Sequence, residues 1–232
     1  WMGCSGRREA DYQAVFSKRD YDIHIKDGVP AEKLYILSHP LLGKAKEFFK
    51  KTFFKPAPKF KSKRKIITFI LPVEEIGFKR VDSSLIPKEE TQKIRREIVS
   101  LTNKILPNWK IFLKPHPDIQ DLTETKKTFQ FLPNSIEITQ QSDPVDRYLE
   151  ISDVIIGIPP ASTTLFTAVL QYSDKLIISV DLYQEMQGDI YKDFDGIEYI
   201  DSREKLIRVL EKIKEDRYKK ENKIKLEPEG FY

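Results

Sequence analysis

The sequence holds a single cysteine, Cys4, in 232 residues. One thiol excludes an internal disulfide framework and any zinc site built from paired cysteines, so a reducing cytoplasm is the expected setting. Histidine is nearly as scarce. His24 and His39 stand at metal-ligand spacing from neither a Cys nor another His, and no metal is expected. Long apolar runs are missing too: nothing approaches the ~18 uninterrupted apolar residues of a membrane span, and the opening WMGCSGRREADY lacks the apolar segment of a signal peptide. Among the nine glycines there is neither a Gly-x-x-x-x-Gly-Lys-Ser/Thr loop nor a Gly-x-Gly-x-x-Gly turn, which removes the kinase, GTPase and dinucleotide dehydrogenase readings.

What is present suits a globular chain. Hydrophobic residues make up 40% and aromatics 11%, enough for a substantial core, while 33% charged residues indicate a well-solvated surface. At roughly 150 residues per domain, the length allows one large domain or one and a half. The net charge of +4 is uneven. Residues 1–64 carry 15 Lys or Arg against 7 Asp or Glu, leaving the rest slightly acidic, and the peak is Lys44 to Lys65, with ten basic residues, one acid and five Phe. That stretch reads first as a solvated helix and linker; a peripheral contact with anionic lipid is the alternative. No nucleic-acid module is recognisable, and no nucleic-acid partner is expected.

From Lys65 onward, short runs rich in Ile, Val and Phe alternate with longer charged segments of helical period. That pattern predicts an α/β fold with a doubly wound, mainly parallel Rossmann-like sheet. The expected strands are 66–71, 110–113, 135–138, 154–157, 176–180 and a weaker 198–200, with helices around 88–106, 144–151, 162–172 and 203–216. Right-handed crossovers would then place the functional crevice beyond the carboxyl ends of the strands. The first 55 residues read as a strand at 14–16, a short helix, the turn Asp27-Gly28-Val29-Pro30, a strand at 33–37 and then Ser38-His39-Pro40. The expected organisation is the end of an N-terminal α/β domain over 1–55, a basic linker over 56–64, a nucleotide-binding domain over 65–216 and a charged tail over 217–232.

Two motifs follow strand ends. In Lys114-Pro115-His116-Pro117 an imidazole sits on a backbone stiffened by two prolines, placed to donate to a phosphate or a leaving group; a stiff loop with a surface His is the plain alternative. In Ser152-Asp153-Val154-Ile155-Ile156-Gly157-Ile158-Pro159-Pro160-Ala161-Ser162-Thr163-Thr164 a buried strand runs through a Gly/Pro turn into three hydroxyl residues that open a helix. Backbone N–H groups and the macrodipole there suit an anion, although ordinary N-capping explains the same residues. Both motifs lie after strands of one sheet, so they can converge on one diphosphate. Asp181, after the strand at 176–180, is a further candidate at the crevice edge, for ribose.

The succession of GVPAEKLYILSHP (28–40), KPHP (114–117), SDVIIG (152–157) and ASTT (161–164) resembles glycosyltransferases of the two-Rossmann-domain (GT-B) type. It is most similar to the bacterial sialyltransferases and polysialyltransferases, with their HP and Ser/Thr motifs. CDP-glycerol glycerophosphotransferases and capsule Kdo transferases are similar in outline. The resemblance implies that His116 contacts the nucleotide phosphate as the catalytic group, and that Ser162 with Thr163 or Thr164 holds the same phosphate. It further implies that Lys114 adds charge beside Pro117, and that the loop from Thr139 through Gln140 to Gln141 reads the base.

The implied function is transfer of a sugar from a nucleotide donor, CMP-sialic acid or a related one, to a glycan acceptor in bacterial surface glycan synthesis, with no cofactor. A nucleotide-sugar 2-epimerase of the same fold and a noncatalytic nucleotide-binding module are the alternatives. Such families carry the general base in an N-terminal domain, so the chain is expected to be a fragment or reduced form that binds donor but transfers sugar poorly.

Overall fold

The computed structural model describes residues 11–15, 18–36, 64–72, 78–79, 85–119, 122–130, 132–133, 135–158, 163–172, 174–182, 191–192 and 196–216. The chain divides into two compact units, Trp1–Lys55 with Lys225–Tyr232, and Pro56–Ile224.

The first unit contains strand β1 (Gln13–Val15), helix α1 (Lys18–Lys26), a 3₁₀ turn (Ala31–Lys33) and strand β2 (Leu34–Ile36). β1 and β2 pair in parallel, the arrangement that a helical crossover makes possible. Helix α1 stops for a local reason. Gly28 adopts φ 82°, its N–H donates to the Ile25 carbonyl and the Val29 N–H reaches back to that of His24, both at 2.9 Å. This is a Schellman stop, which favours glycine at the left-handed position and a buried apolar residue after it. Val29 is that residue, and it packs with Val15 and Leu34. The Ser38-His39-Pro40 motif and most of the basic Lys44 to Lys65 stretch lie outside the described residues.

The second unit is built on one parallel sheet. In chain order it runs β3 (Ile66–Ile70), a small antiparallel pair β4 (Phe78–Lys79) and β5 (Leu85–Ile86), α2 (Lys88–Ile105), β6 (Lys110–Lys114), α3 (Thr123–Phe129) and β7 (Ile136–Ile138). Helix α4 (Val145–Ile151), β8 (Val154–Gly157), α5 (Thr163–Gln171), β9 (Leu176–Val180), β10 (Glu198–Ile200) and α6 (Arg203–Lys214) follow. Six strands hydrogen-bond in the order β10-β9-β8-β3-β6-β7, every pair parallel. The chain starts in the middle at β3, builds outward through β6 and β7, returns over the sheet by α4 to β8, and builds the other way. That is the doubly wound α/β order.

Both faces of the sheet are covered, which is why its central strands are apolar throughout rather than alternating. β3 is buried at all five positions. On one face Ile67, Phe69, Ile111, Leu113, Ile156, Ile178 and Val180 meet Ile98 and Val99 of α2 and Leu206, Val209, Leu210 and Ile213 of α6. Those four α6 residues recur at the i, i+3, i+4, i+7 spacing of one helical face, and α6 is capped at its start by Ser202, whose hydroxyl accepts from the Lys205 N–H at 3.3 Å. On the other face Ile70, Ile155 and Ile177 meet Leu149 of α4 and Leu165, Ala168 and Val169 of α5. Two elements depart from the sequence expectation. α3, TETKKTF, carries three β-branched Thr that weaken its helical signal, and the β4–β5 pair is two residues per strand, too short for an alternation to show.

Gly157 ends β8 where α5 crosses closest. A Cβ placed there would stand 2.4 Å from Leu165 Cδ1 and 2.9 Å from its Cγ, and Leu165 is fully buried, so the whole side chain would have to shift. Gly157→Ala should therefore destabilise this unit by about 1–3 kcal/mol, the usual cost of overpacking. Urea unfolding measures it, and an unchanged midpoint would show that α5 is not seated on Gly157.

Candidate functional site

Because all six strands run the same way, their carboxyl ends share one edge. The residues that leave it are Leu71 after β3, Pro115 and His116 after β6, Thr139 and Gln140 after β7, Ile158 after β8, Asp181 after β9 and Asp201 after β10. The order of winding reverses between β3 and β8, and in open α/β sheets that reversal opens a crevice beyond the strand ends. Lys114 and Gly157 both pair with Ile70, so the exits of β6 and β8 lie at the same level on either side of β3. Two inter-strand steps separate them, about 10 Å. The KPHP turn thus leaves the sheet two strands away from Gly157, beyond which the chain leads on toward α5.

His116 is partly exposed, with 39% of its side chain accessible. Its Nδ1 accepts the backbone N–H of Asp118 at 3.2 Å, and the Ile119 N–H closes the turn onto the His116 carbonyl at 3.1 Å. An Nδ1 that accepts a hydrogen bond places the proton on Nε2 in the neutral ring, so Nε2 is the donor. The Asp118 carboxylate stands 3.5 Å from Nδ1. Pro117 is exposed beside it. On the other side of β3, helix α5 begins at Thr163 and is nine residues long; of the five residues between it and β8, only Ile158 is described. Ser162 lies outside the described residues, only the backbone of Thr163 is described, and Thr164 is half-buried.

Lys114 points inward. It is 3% exposed, and its Nζ donates to the carbonyls of Pro115 at 3.1 Å, Gln140 at 3.3 Å and Gln141 at 2.9 Å. Burial lowers its pKa, partly offset by the Asp143 carboxylate. The loop that follows β7 is tied at both ends: Thr139 N–H donates to the Leu113 carbonyl at 3.0 Å, and Asp143 N–H to that of Gln140 at 3.2 Å. Thr139 is buried and Gln140 exposed. Asp181 is also buried, 1% exposed, and its carboxylate accepts from the Tyr199 hydroxyl at 2.9 Å rather than standing open at the edge.

Sequence reasoning missed the support beneath this loop. Tyr148 of α4 donates its hydroxyl to Asp143 Oδ2 at 2.6 Å, packs edge-on against Phe112, and its backbone carbonyl accepts from Ser152 Oγ, which also bonds Thr68 Oγ1. The one available signal was Asp143-Pro144, a capping-type pair opening a helix. Among the described residues no three His, Cys, Asp or Glu side chains are grouped to hold a metal ion, and no helix is long and apolar enough to cross a membrane.

The Tyr148 hydroxyl carries a pH consequence. Burial first, and then the hydrogen bond to Asp143, push its pKa up to about 12. A folded-state value above the unfolded one gives stability that is complete below pH ~10 and is lost as pH rises from there through about 12. The parent chain should lose roughly 1 kcal/mol more stability than Tyr148→Phe between pH 8 and pH 11, read from urea midpoints of both chains. Parallel loss in the two would show that Tyr148 does not titrate this way.

No protein-family model and no curated protein matches the sequence. Solved structures do. The UDP-GlcNAc 2-epimerase of Methanocaldococcus jannaschii, in complex with UDP-GlcNAc and UDP, superposes with a TM-score of 0.56, covering 92% of this chain and 56% of that one at 13% identity. MnaA of S. aureus, in its structure with UDP, gives 0.59 over 89% and 52%, also at 13% identity. The wall teichoic acid polymerase TagF overlays more loosely, at 0.43 over 91% and 51% and 14% identity. The chain thus spans about half the length of the structures it matches. At such identities the likeness is one of fold alone: an α/β, Rossmann-like chain with a mainly parallel sheet.

Proposed function

We propose that the second unit binds the diphosphate of a nucleotide sugar at the carboxyl edge of its sheet, as the donor-binding half of a glycosyltransferase. The observation that carries this reading is that β6, which leads into His116, and β8, which leads toward α5, end at one level on either side of β3, at the winding reversal. His116 Nε2–H donates to one phosphate oxygen, and the backbone N–H groups at the start of α5, with the hydroxyls of Thr164 and Ser162, take another. Transfer is a displacement at the anomeric carbon: the acceptor hydroxyl gives its proton to a general base outside the second unit, its oxygen bonds to the anomeric carbon, and the bond from that carbon to the phosphate oxygen breaks, the nucleotide leaving with the electron pair. Charge grows on the departing phosphate, and these donors neutralise it where it develops.

The donor we favour is a cytidine nucleotide sugar related to the CMP-sialic acid that the HP and Ser/Thr motifs imply, but carrying the two phosphates that this site would hold, and the acceptor is a surface glycan. A nucleotide-sugar 2-epimerase is the second reading, favoured by Asp118. Its carboxylate beside His116 supplies a general base at the crevice, the group that takes up the proton abstracted from a sugar carbon.

A thermal-shift series with CMP, CDP, UDP and GDP, and then with UDP-GlcNAc, tests the proposal. A nucleotide present at ~100 times its Kd should raise stability by about 2.7 kcal/mol. His116→Ala should weaken the best nucleotide by 10- to 100-fold, on the order of 1–3 kcal/mol for a charge-assisted hydrogen bond, with unfolding of the free chain unchanged. Equal binding by parent and variant would leave Pro-His-Pro as a stiff surface turn. Inversion at C2 of UDP-GlcNAc, followed by NMR, would establish the epimerase reading instead.

A further inference from the structure

The KPHP motif contains a second basic residue, and the crevice reading leaves its role open. An ammonium group has three N–H bonds. In Lys114 they are matched by three carbonyls, those of Pro115, Gln140 and Gln141, in a side chain that is 97% buried, 3% being exposed. No proton is left for a phosphate. Two of the three carbonyls belong to the turn after β7, which is closed by Asp143 N–H on the Gln140 carbonyl and held from below by the Tyr148 hydroxyl on Asp143. The cost of burying the ammonium is thus met by fixing one loop at the sheet edge.

The direction of the fixing has a chemical consequence. In a trans peptide the C=O and the following N–H point to opposite sides. With the Gln140 and Gln141 carbonyls turned onto Lys114, the N–H groups of Gln141 and Ser142 face away from it, outward from the turn. Two successive backbone donors in a rigid turn suit a base edge with two adjacent acceptors. On its Watson–Crick edge cytosine has such a pair, O2 and N3, whereas in uracil an N3–H donor separates the two carbonyl oxygens.

We propose that Lys114 is a positioning residue that presents this turn to the nucleobase and so selects cytidine over uridine nucleotides. The proposal rests on the nucleotide-binding reading above, and it assigns Lys114 to the base and not to the phosphate where the sequence had placed it.

Isothermal titration of the full chain with CDP, UDP and inorganic pyrophosphate tests it. The parent should bind CDP at least tenfold more tightly than UDP. Lys114→Met keeps the length of the stem and removes the three donors; it should bring the CDP and UDP affinities within about twofold of each other while pyrophosphate binding stays as in the parent. Should Lys114→Met fail to fold, Tyr148→Phe loosens the same turn from its other end. It should lower the CDP preference in the same direction, again sparing pyrophosphate. A preserved CDP preference in the variant that folds, no preference in the parent, or an equal loss of pyrophosphate would each overturn the proposal while nucleotide binding itself stood. Absence of binding by any of the nucleotides would overturn the functional reading along with it.

Discussion

Parallel pairing of six strands around β3 is the constraint on which the second unit depends. A parallel sheet cannot be closed by hairpins, so every connection must cross a face of it, and each crossing brings cover to one side or the other. The same direction of travel collects all strand exits on one edge. Once β6 and β7 have been laid on one side of β3, the next strand has a free partner only on the other, and α4 carries the chain there. The crevice between the exits of β6 and β8 is a by-product of that order and not a separate invention. Its floor is rigid because Ile70 pairs with both Lys114 and Gly157 and because Gly157 lets Leu165 press onto the sheet.

Polar groups at this edge serve mostly as fixings. Lys114, Asp143, Tyr148, Asp181 and Tyr199 are tied to backbone carbonyls or to one another, and a buried polar group that is fully matched holds a loop in one conformation. His116 differs in that one nitrogen is tied and the other is the donor. Catalytic and binding groups need that combination, since a side chain that must wait in place for a ligand is useful only if the rest of its rotamer is already determined.

Much of the fold was legible in the sequence, and the physical reason is the two-sided burial of the sheet. A strand such as Ile66–Ile70 has no polar face to interrupt its apolar run, so its position shows plainly, and the strands at 154–157, 176–180 and 198–200 lie where the runs placed them. α3 and the β4–β5 pair were not legible, the one for its Thr content and the other for its brevity. At the site, the strand-end location of each motif could be read, but the direction of each side chain could not. Lys114 and Asp181 look like exposed charges in sequence, yet one is turned under the β7 loop and the other under Tyr199, because strand parity and a neighbouring loop decide which way a side chain faces. The Tyr148 support lies only five positions from Asp143, but the local signal, Asp143-Pro144, marks a helix start and does not say that the tyrosine hydroxyl turns back onto the loop.

The account joins these parts in one claim: a nucleoside diphosphate lies across β3, between His116 and the start of α5. Hydrogen–deuterium exchange of the full chain with and without saturating CDP tests it most directly, because each flank and the opposite edge of the sheet fall in separate peptides. The account predicts slower exchange in the turn at 116–119 and in the first turn of α5, with the opposite edge around Lys65 and Trp109 unchanged. Protection confined to that opposite edge, or absent from both flanks while CDP is bound, would contradict it.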